Sequence, residues 1–207
     1  MQLIAHRAIR NMKTEVANHC VRYHYLERYP DPRSLPFSYY LQVDGQTFAP
    51  DGRLWGLVVM KKPQHMSQRG LFGWDGDPTH WQVLDLARVW IHPELQHRQA
   101  NGHAGNIFSQ MVSRVIRRVQ WDWLEHHPPR YPDRPYHIEL IISYCELSHH
   151  DGTAYRASGF QKHGLTSDGT KEVYFRRLHP PRKSWTLYQL NRPGQLPLFE
   201  GSPIKYD

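Results

Sequence analysis

The sequence predicts an α/β (α+β) fold, a single domain in which helices flank a mixed central β-sheet. Three observations carry that expectation. A strongly apolar strand, Ile138-Glu-Leu-Ile-Ile-Ser-Tyr144, is closely followed by a short helix in Asp151-Gly-Thr-Ala-Tyr-Arg-Ala-Ser-Gly-Phe160. A long helix is marked by Ile107, Met111, Val115, Val119 and Trp123, an apolar residue at every fourth position. The remaining apolar runs are short and separated by glycine- and proline-rich breaks. The resulting order is helix, strands, strand, long helix, strand, short helix, strand pair.

In chain order, residues 10–22 read as a helix because Met12, Val16, Ala17 and Val21 share one face. A turn-rich stretch with Pro30, Pro32 and Pro36 follows. Residues 37–43 and 54–60 read as strands joined by a loop, 44–53, that glycine and proline interrupt. Residues 61–80 are polar and rich in glycine and aspartate, a loop long enough to suggest function. Residues 81–92 form a strand ended by Pro93, with Asp85 and Arg88 on opposite faces unless a bulge intervenes. A turn, Asn101-Gly-His-Ala-Gly-Asn106, opens the helix 107–125, whose Ser113, Arg114, Arg117 and Arg118 lie off the apolar stripe. A turn over 126–135, a strand at 137–144, a short helix at 152–158 and strands near 160–165 and 171–177 complete the body. The domain is expected to span 1–178. Residues 179–207, basic and rich in proline, read as an extended tail packed through Trp185, Leu187, Tyr188 and Phe199.

Composition narrows the class. A chain of 207 residues suits one domain with a sizeable core. A net charge of +7 and a pI near 9.5 favour a polyanionic partner. Seven tryptophans and twelve tyrosines argue against a disordered chain. Cys20 and Cys145 lack metal or redox spacing, which fits packing groups in a reduced, cytoplasmic protein. No secretory signal is evident. The longest apolar run, 54–60, is far short of the roughly 20 residues that span a bilayer, so no membrane is expected.

Three groups of residues carry possible chemistry. The glycine-rich turn before the long helix, with Gln99, Asn101, Gly102, Ala104 and Asn106, offers backbone N–H groups and a partial positive dipole to a pyrophosphate. Tyr155 stands near the C-terminal end of a strand, where open sheets place ligands, and a phenol remains protonated at neutral pH. His24, Tyr25, Glu146, His149, His150 and Asp151 form a histidine, tyrosine and carboxylate set suited to general base work or to a non-haem metal, for which His24, Glu146 and His150 are the candidates. Asp151 is equally well explained as a helix N-cap. Arg88, inside an apolar strand, needs a partner: Asp85, Glu146, or a substrate or acyl carbonyl. Arg114, Arg117, Arg118, Arg176, Arg177, Arg182 and Lys183 make either solvated faces or a surface that tracks phosphates.

The segment Gln99-Ala-Asn-Gly102-His-Ala104 resembles the coenzyme A pyrophosphate signature Gln/Arg-x-x-Gly-x-Gly/Ala of the GNAT N-acetyltransferase superfamily, with residues 94–98 intervening after the strand. The resemblance covers roughly residues 10–178. It implies acetyl-CoA or a related acyl-CoA as cofactor and assigns Tyr155 to protonation of the departing thiolate. Within that superfamily, His24-Tyr25 with Arg28 and Pro30, Leu86-Ala-Arg88-Val-Trp90, and Ser143-Tyr144 with Gly152-Thr-Ala-Tyr155-Arg-Ala157 resemble the bacteriophage Mom family. Tyr144-Cys145-Glu146 departs from that family's Tyr-x-Asp.

The Mom resemblance implies conversion of adenine N6 in double-stranded DNA to a methylcarbamoyl form that protects it from restriction, in a bacterial or phage-infected cell. It also leaves room for iron. The adenine amine is conjugated into its ring and must be flipped from the duplex at a cost of a few kcal/mol. In this reading Gln99, Gly102 and Ala104 frame the pyrophosphate, while His24, Tyr25 and Arg88 approach the base. The alternatives are a general N-acetyltransferase acting on a protein, aminoacyl-tRNA or small-molecule amine, and a degenerate acetyltransferase fold that only binds nucleic acid.

Overall fold

The computed structural model describes residues 1–30, 32–63, 82–100, 106–126 and 138–178. Its strands are β1 (Leu3–Arg7), β2 (Ser38–Val43), β3 (Gly56–Lys61), β4 (Val83–Ile91), β5 (Leu140–Glu146), β6 (Gln161–Leu165) and β7 (Lys171–Arg177). Its helices are α1 (Asn11–Tyr23), α2 (Pro93–Ala100), α3 (Ile107–His126) and α4 (Thr153–Ala157), with a 3-10 turn at Pro32–Phe37. The strands form one sheet in the order β1-β2-β3-β4-β5-β7-β6. Each neighbouring pair is antiparallel except β4 and β5, which run parallel. The expected α/β domain with a mixed sheet is the fold observed.

The four-residue spacing of the long helix is a core stripe: Ile107, Met111, Val115, Val119 and Trp123 are each 1 % exposed or less. Val112 and Ile116 widen it, and together they cover the sheet face that carries Val58, Met60, Leu84, Leu86 and Ile141. The opposite face takes α1. There Val16 and Cys20 pack with Leu54, Leu57 and Val59. The buried stripe of α1 is Val16, Ala17, His19 and Cys20, not Val21, which stays half-buried. Both cysteines are buried and free, and burial raises both thiols, Cys20 to about 11.

Two elements lie outside the expectation. The first is β1, an edge strand whose only fully buried side chain is Leu3, so its sequence shows almost no alternation. The second is α2, where a plain connection was expected. Pro93 opens it at the position where a missing N–H costs nothing, and Glu94 favours the positive end of its dipole. His92 Nδ1 accepts the Glu94 N–H at 3.2 Å, and Leu95 is fully buried beneath the helix. The β5 strand begins three residues later than expected and runs to Glu146. No described helix is long and apolar enough to cross a membrane. The expected tail, with Trp185, Leu187, Tyr188 and Phe199, lies outside the described residues, as do most of the 61–80 loop and the 126–135 turn.

Trp123 is the largest fully buried side chain among the described residues and packs on Phe37 with ring centroids 5.0 Å apart. Trp123→Ala is expected to cost about 3–5 kcal/mol, read as a lower urea midpoint. Arg117→Ala, on the exposed face of the same helix, is expected to stay within about 0.5 kcal/mol.

Candidate functional site

The site begins where two parallel strands part. β4 and β5 pair over Val83–Leu140, Leu84–Ile141 and Asp85–Ile142, and no further, although β4 runs on to Ile91 and β5 to Glu146. At the point of parting, β4 bulges: Met60 lies opposite Leu86 and Val59 opposite Arg88, leaving Ala87 as the extra residue. The bulge reverses the side-chain parity. Leu84, Leu86, Val89 and Ile91 join the α3-side core, while Trp90 joins the α1 side and Asp85 and Arg88 interact electrostatically. Asp85 and Arg88 therefore share a face, the alternative that a bulge allows. Asp85 is buried, 3.4 Å from Lys61, and burial raises its carboxyl to about 6 against the pull of that lysine.

Tyr155 closes the apex of this split. Ser143 Oγ lies 2.9 Å from the Leu86 carbonyl and 3.1 Å from the Tyr155 hydroxyl. Ser143 has one proton, and only the carbonyl lacks one of its own. The consistent arrangement has Tyr155 donating to Ser143 and Ser143 donating to Leu86. The Tyr155 ring stacks on Tyr174 at 5.1 Å and meets Phe160 and Phe108 edge-on at 5.8 and 5.4 Å. Phe108 belongs to the first turn of α3, so the tyrosine stands between the strand split and that helix's N-terminus. Burial raises the Tyr155 hydroxyl above its ordinary value. It holds its proton at neutral pH.

Gly152 makes this placement possible. Its φ is +74°, and a Cβ there would come within 2.0 Å of the Tyr174 hydroxyl. Asp151 Oδ1 accepts the Thr153 N–H at 2.9 Å and its Oδ2 accepts the Thr153 hydroxyl, which holds the carboxyl below its ordinary value. The N-cap itself is Gly152, not Asp151 as expected: Asp151 stands one residue earlier and steadies the start of α4 through Thr153, and its exposed, depressed carboxylate is poorly suited to act as a base.

The opposite rim comes from the end of α1. Tyr25 stacks on His24 at 4.4 Å and reaches His149 and His150 at 4.8 and 5.6 Å, joining the α1 end to the β5–α4 connection. Arg88 acts electrostatically on both His24 and Tyr25, and Glu146 on Tyr25. The fold thus gathers His24, Tyr25, Arg88, Glu146, His150 and Tyr155 from separate stretches of chain. His24 Nδ1 accepts the Leu26 N–H at 3.2 Å, so its neutral ring carries the proton on Nε2 and presents a donor. Among the described residues no group of three or more His, Cys, Asp or Glu is arranged to hold a metal ion, so the iron expectation gains no support.

The candidate cofactor residues are only partly described. Gln99 lies in the last turn of α2, while Asn101, Gly102 and Ala104 lie outside the described residues. Asn106 is the N-cap of α3: its Oδ1 accepts the Ser109 N–H at 3.3 Å, and its carbonyl accepts that of Gln110 at 3.0 Å.

Three of the five described basic residues assigned to a phosphate surface have structural work. Arg114 Nε donates to the Leu3 carbonyl at 2.7 Å, Arg118 pairs with Asp122 at 3.1 Å, and Arg176 donates to the Ser158 carbonyl at 2.7 Å. Arg117 and Arg177 are exposed, and Arg117 faces Arg176. Arg182 and Lys183 lie outside the described residues. Ser143, Phe108 and Tyr174 escaped the sequence reading as site residues. A serine inside the apolar run Leu140-Ile-Ile-Ser143 is the one signal that marks any of them.

The fold is that of the GNAT acetyltransferases. A GNAT-family acetyltransferase from Listeria monocytogenes superposes with a TM-score of 0.50 at 11 % identity, covering 85 % of this chain and 95 % of its own. Ard1 from Thermoplasma volcanium gives 0.50 at 9 % identity, covering 87 % and 100 %. A GNAT-superfamily phosphinothricin acetyltransferase from Sinorhizobium meliloti, in complex with AcCoA, gives 0.51 at 12 % identity, covering 88 % and 95 %. No family model matches the chain, and no curated protein matches it in sequence.

Burial makes the stability of this region depend on pH. His19 lies against Tyr23 and Trp90, and both His19 and His24 are lowered to about 4, chiefly by burial. Each contributes stability that is full above about pH 6.5 and lost as pH falls toward 4, up to about 3 kcal/mol apiece. Asp85 opposes them, its contribution being full below about pH 4 and lost as pH rises through 6. Urea midpoints are therefore expected to fall between pH 6.5 and 4.5. His19→Phe should make that fall shallower and Asp85→Asn steeper. An unchanged slope in both variants would contradict the assignment.

Proposed function

We propose that the protein is an acyl-CoA-dependent N-acyltransferase that moves an acyl group from a thioester to an amine. The observation that carries this reading is the parallel β4–β5 pair parting at Asp85 and Ile142, with the Tyr155 hydroxyl at the apex. The cofactor fits the residues present. Past the parting, each strand edge faces a gap with no ladder partner from the other strand, and an extended chain bearing amides finds there the donors and acceptors a strand would offer. The N-terminus of α3 beside Phe108 and Tyr155 suits the cofactor's phosphates. Acyl-CoA supplies the activated thioester.

The residues divide the remaining work. With acyl-CoA bound, its thioester would pass the acyl group to the amine, and Tyr155, which holds a proton on its oxygen, would give that proton to the departing thiolate. Ser143 fixes that proton's direction until then. The amine's surplus proton goes to the histidines of the β5–α4 connection. His150, lowered by partial burial and by His149, is neutral there and able to accept it, whereas His24 presents a donor. Tyr155→Phe keeps the ring packing and removes the proton. It is expected to lower kcat about 100-fold while calorimetry shows acetyl-CoA affinity within about 3-fold of wild type. Wild-type protein that binds no acetyl-CoA would refute the proposal.

A second, narrower reading takes adenine N6 in DNA as the amine. It is favoured by the convergence on one cleft of the segments that resemble the Mom family: His24-Tyr25, the Arg88 strand and the Tyr155 helix. Tyr25 is 41 % exposed and stacked on His24, a platform of the kind a flipped base requires. Mass spectrometry of nucleosides digested from DNA of expressing cells is expected to show an acylated adenosine. Unmodified adenosine alongside acetylation of a small amine would leave only the broader reading.

A further inference from the structure

Beside the bulge lies a cavity of about 350 Å³, lined by Arg28, Tyr29 and Pro30 from the segment after α1, Ser34, Lys61 at the end of β3, and Ala87 and Arg88 of the bulge. Three of these residues are cationic. Among the described residues the carboxylate paired with one of them is Asp85, buried and already engaged by Lys61 at 3.4 Å. Arg88 is not neutralised in the same way. Its NH1 group donates to the carbonyl of its neighbour Ala87 at 2.8 Å, while its Nε is buried without a hydrogen-bond partner. Arg28 adds like-charge repulsion to that of burial. A guanidinium held this way, with a buried donor unmet and two further cations around the same cavity, lacks an oxyanion. The cavity is concave and at the small end of small-molecule sites, so its occupant is compact.

We propose that this cavity binds a carboxylate or phosphate group of a small amine acceptor, held by Arg88 with Lys61 and Arg28. The inference rests on the acyltransferase reading for the word acceptor, and on the cavity alone for the anion. The acceptor's charged end then sits at Arg28 and Lys61 while its amine faces the parted strands, with the exposed ring of Tyr29 as one wall. Acceptor choice follows from charge at one end and reach at the other.

Arg88 Nε–H is itself the reporter. In ¹H–¹⁵N spectra of the full chain, with that resonance assigned by its loss in Arg88→Lys, titration with inorganic phosphate and separately with acetate is expected to shift it saturably. Sodium chloride at equal ionic strength should not. Whichever ion saturates at lower concentration identifies the oxyanion type. Arg28→Gln, at an exposed position that does not threaten the fold, should weaken the binding at least 5-fold, and Lys61→Met at least 10-fold. The shift should persist under saturating acetyl-CoA. A response no greater than that of chloride, equal affinity in Arg28→Gln and a folded Lys61→Met, or displacement of the ion by acetyl-CoA would each overturn the proposal. The last would assign the anion to the cofactor instead. Should acetyl-CoA fail to bind at all, the acyltransferase reading falls while the anion titration still gives its own answer.

Discussion

One extra residue in β4 governs most of what is distinctive here. A regular strand would have sent Arg88 into the α3-side core, where a guanidinium has no place beside Leu84 and Leu86. Ala87 absorbs the mismatch. Its insertion turns Arg88 and Trp90 toward α1, and the ladder to β5 ends just before it. The placement of the cation follows from that backbone irregularity, and the cleft with Tyr155 at its apex opens beside it. The bulge is held from one side by the β3 ladder and from the other by Ser143, whose hydroxyl bonds to the Leu86 carbonyl.

The two rims are built differently. On the β5–α4 side, Gly152 lets the chain pass close over Tyr174, and Asp151 and Thr153 start a helix only five residues long. Such a helix has little stability of its own. It stays in place because Tyr155 is packed against three aromatic rings and tied to the central strand. On the α1 side the contacts are chiefly aromatic and histidine stacking, from Tyr25 across to His149 and His150. That rim is charge-sensitive, since it includes a histidine held neutral by burial and by the neighbouring Arg88.

Much of the fold was legible because its strongest signals are periodic. The α3 stripe, the apolar β5 run and the Gly-Thr-Ala-Tyr turn all sit where their patterns require. What escaped had no pattern to show. Leu3–Arg7 buries one residue in five, so no alternation marks it as a strand. Pro93–Ala100 is polar along most of its length and is held by Leu95 and a histidine cap, neither of which stands out in sequence. The gathering of His24, Tyr25 and Arg88 with Tyr155 was legible through resemblance. The face on which Arg88 lies depended on the bulge, and side-chain identities alone cannot locate a bulge. Asp151 illustrates the opposite case, in which the bland reading as a helix anchor accounts for its bonds. The arginines of α3 teach a similar lesson: basic runs look like a ligand surface until their carbonyl and aspartate partners appear.

The stacking of Tyr25 on His149 and His150 has a mechanical side. It is the described ring contact that bridges the two lips of the parted strands, and it rests on side chains at the open end of the gap rather than on paired backbone. On the proposed acyltransferase reading, a donor entering from the α3 side leaves it undisturbed, whereas an acceptor arriving from the α1 side passes it. The order in which two substrates load would then be written into which wall is rigid and which is hinged on a few rings.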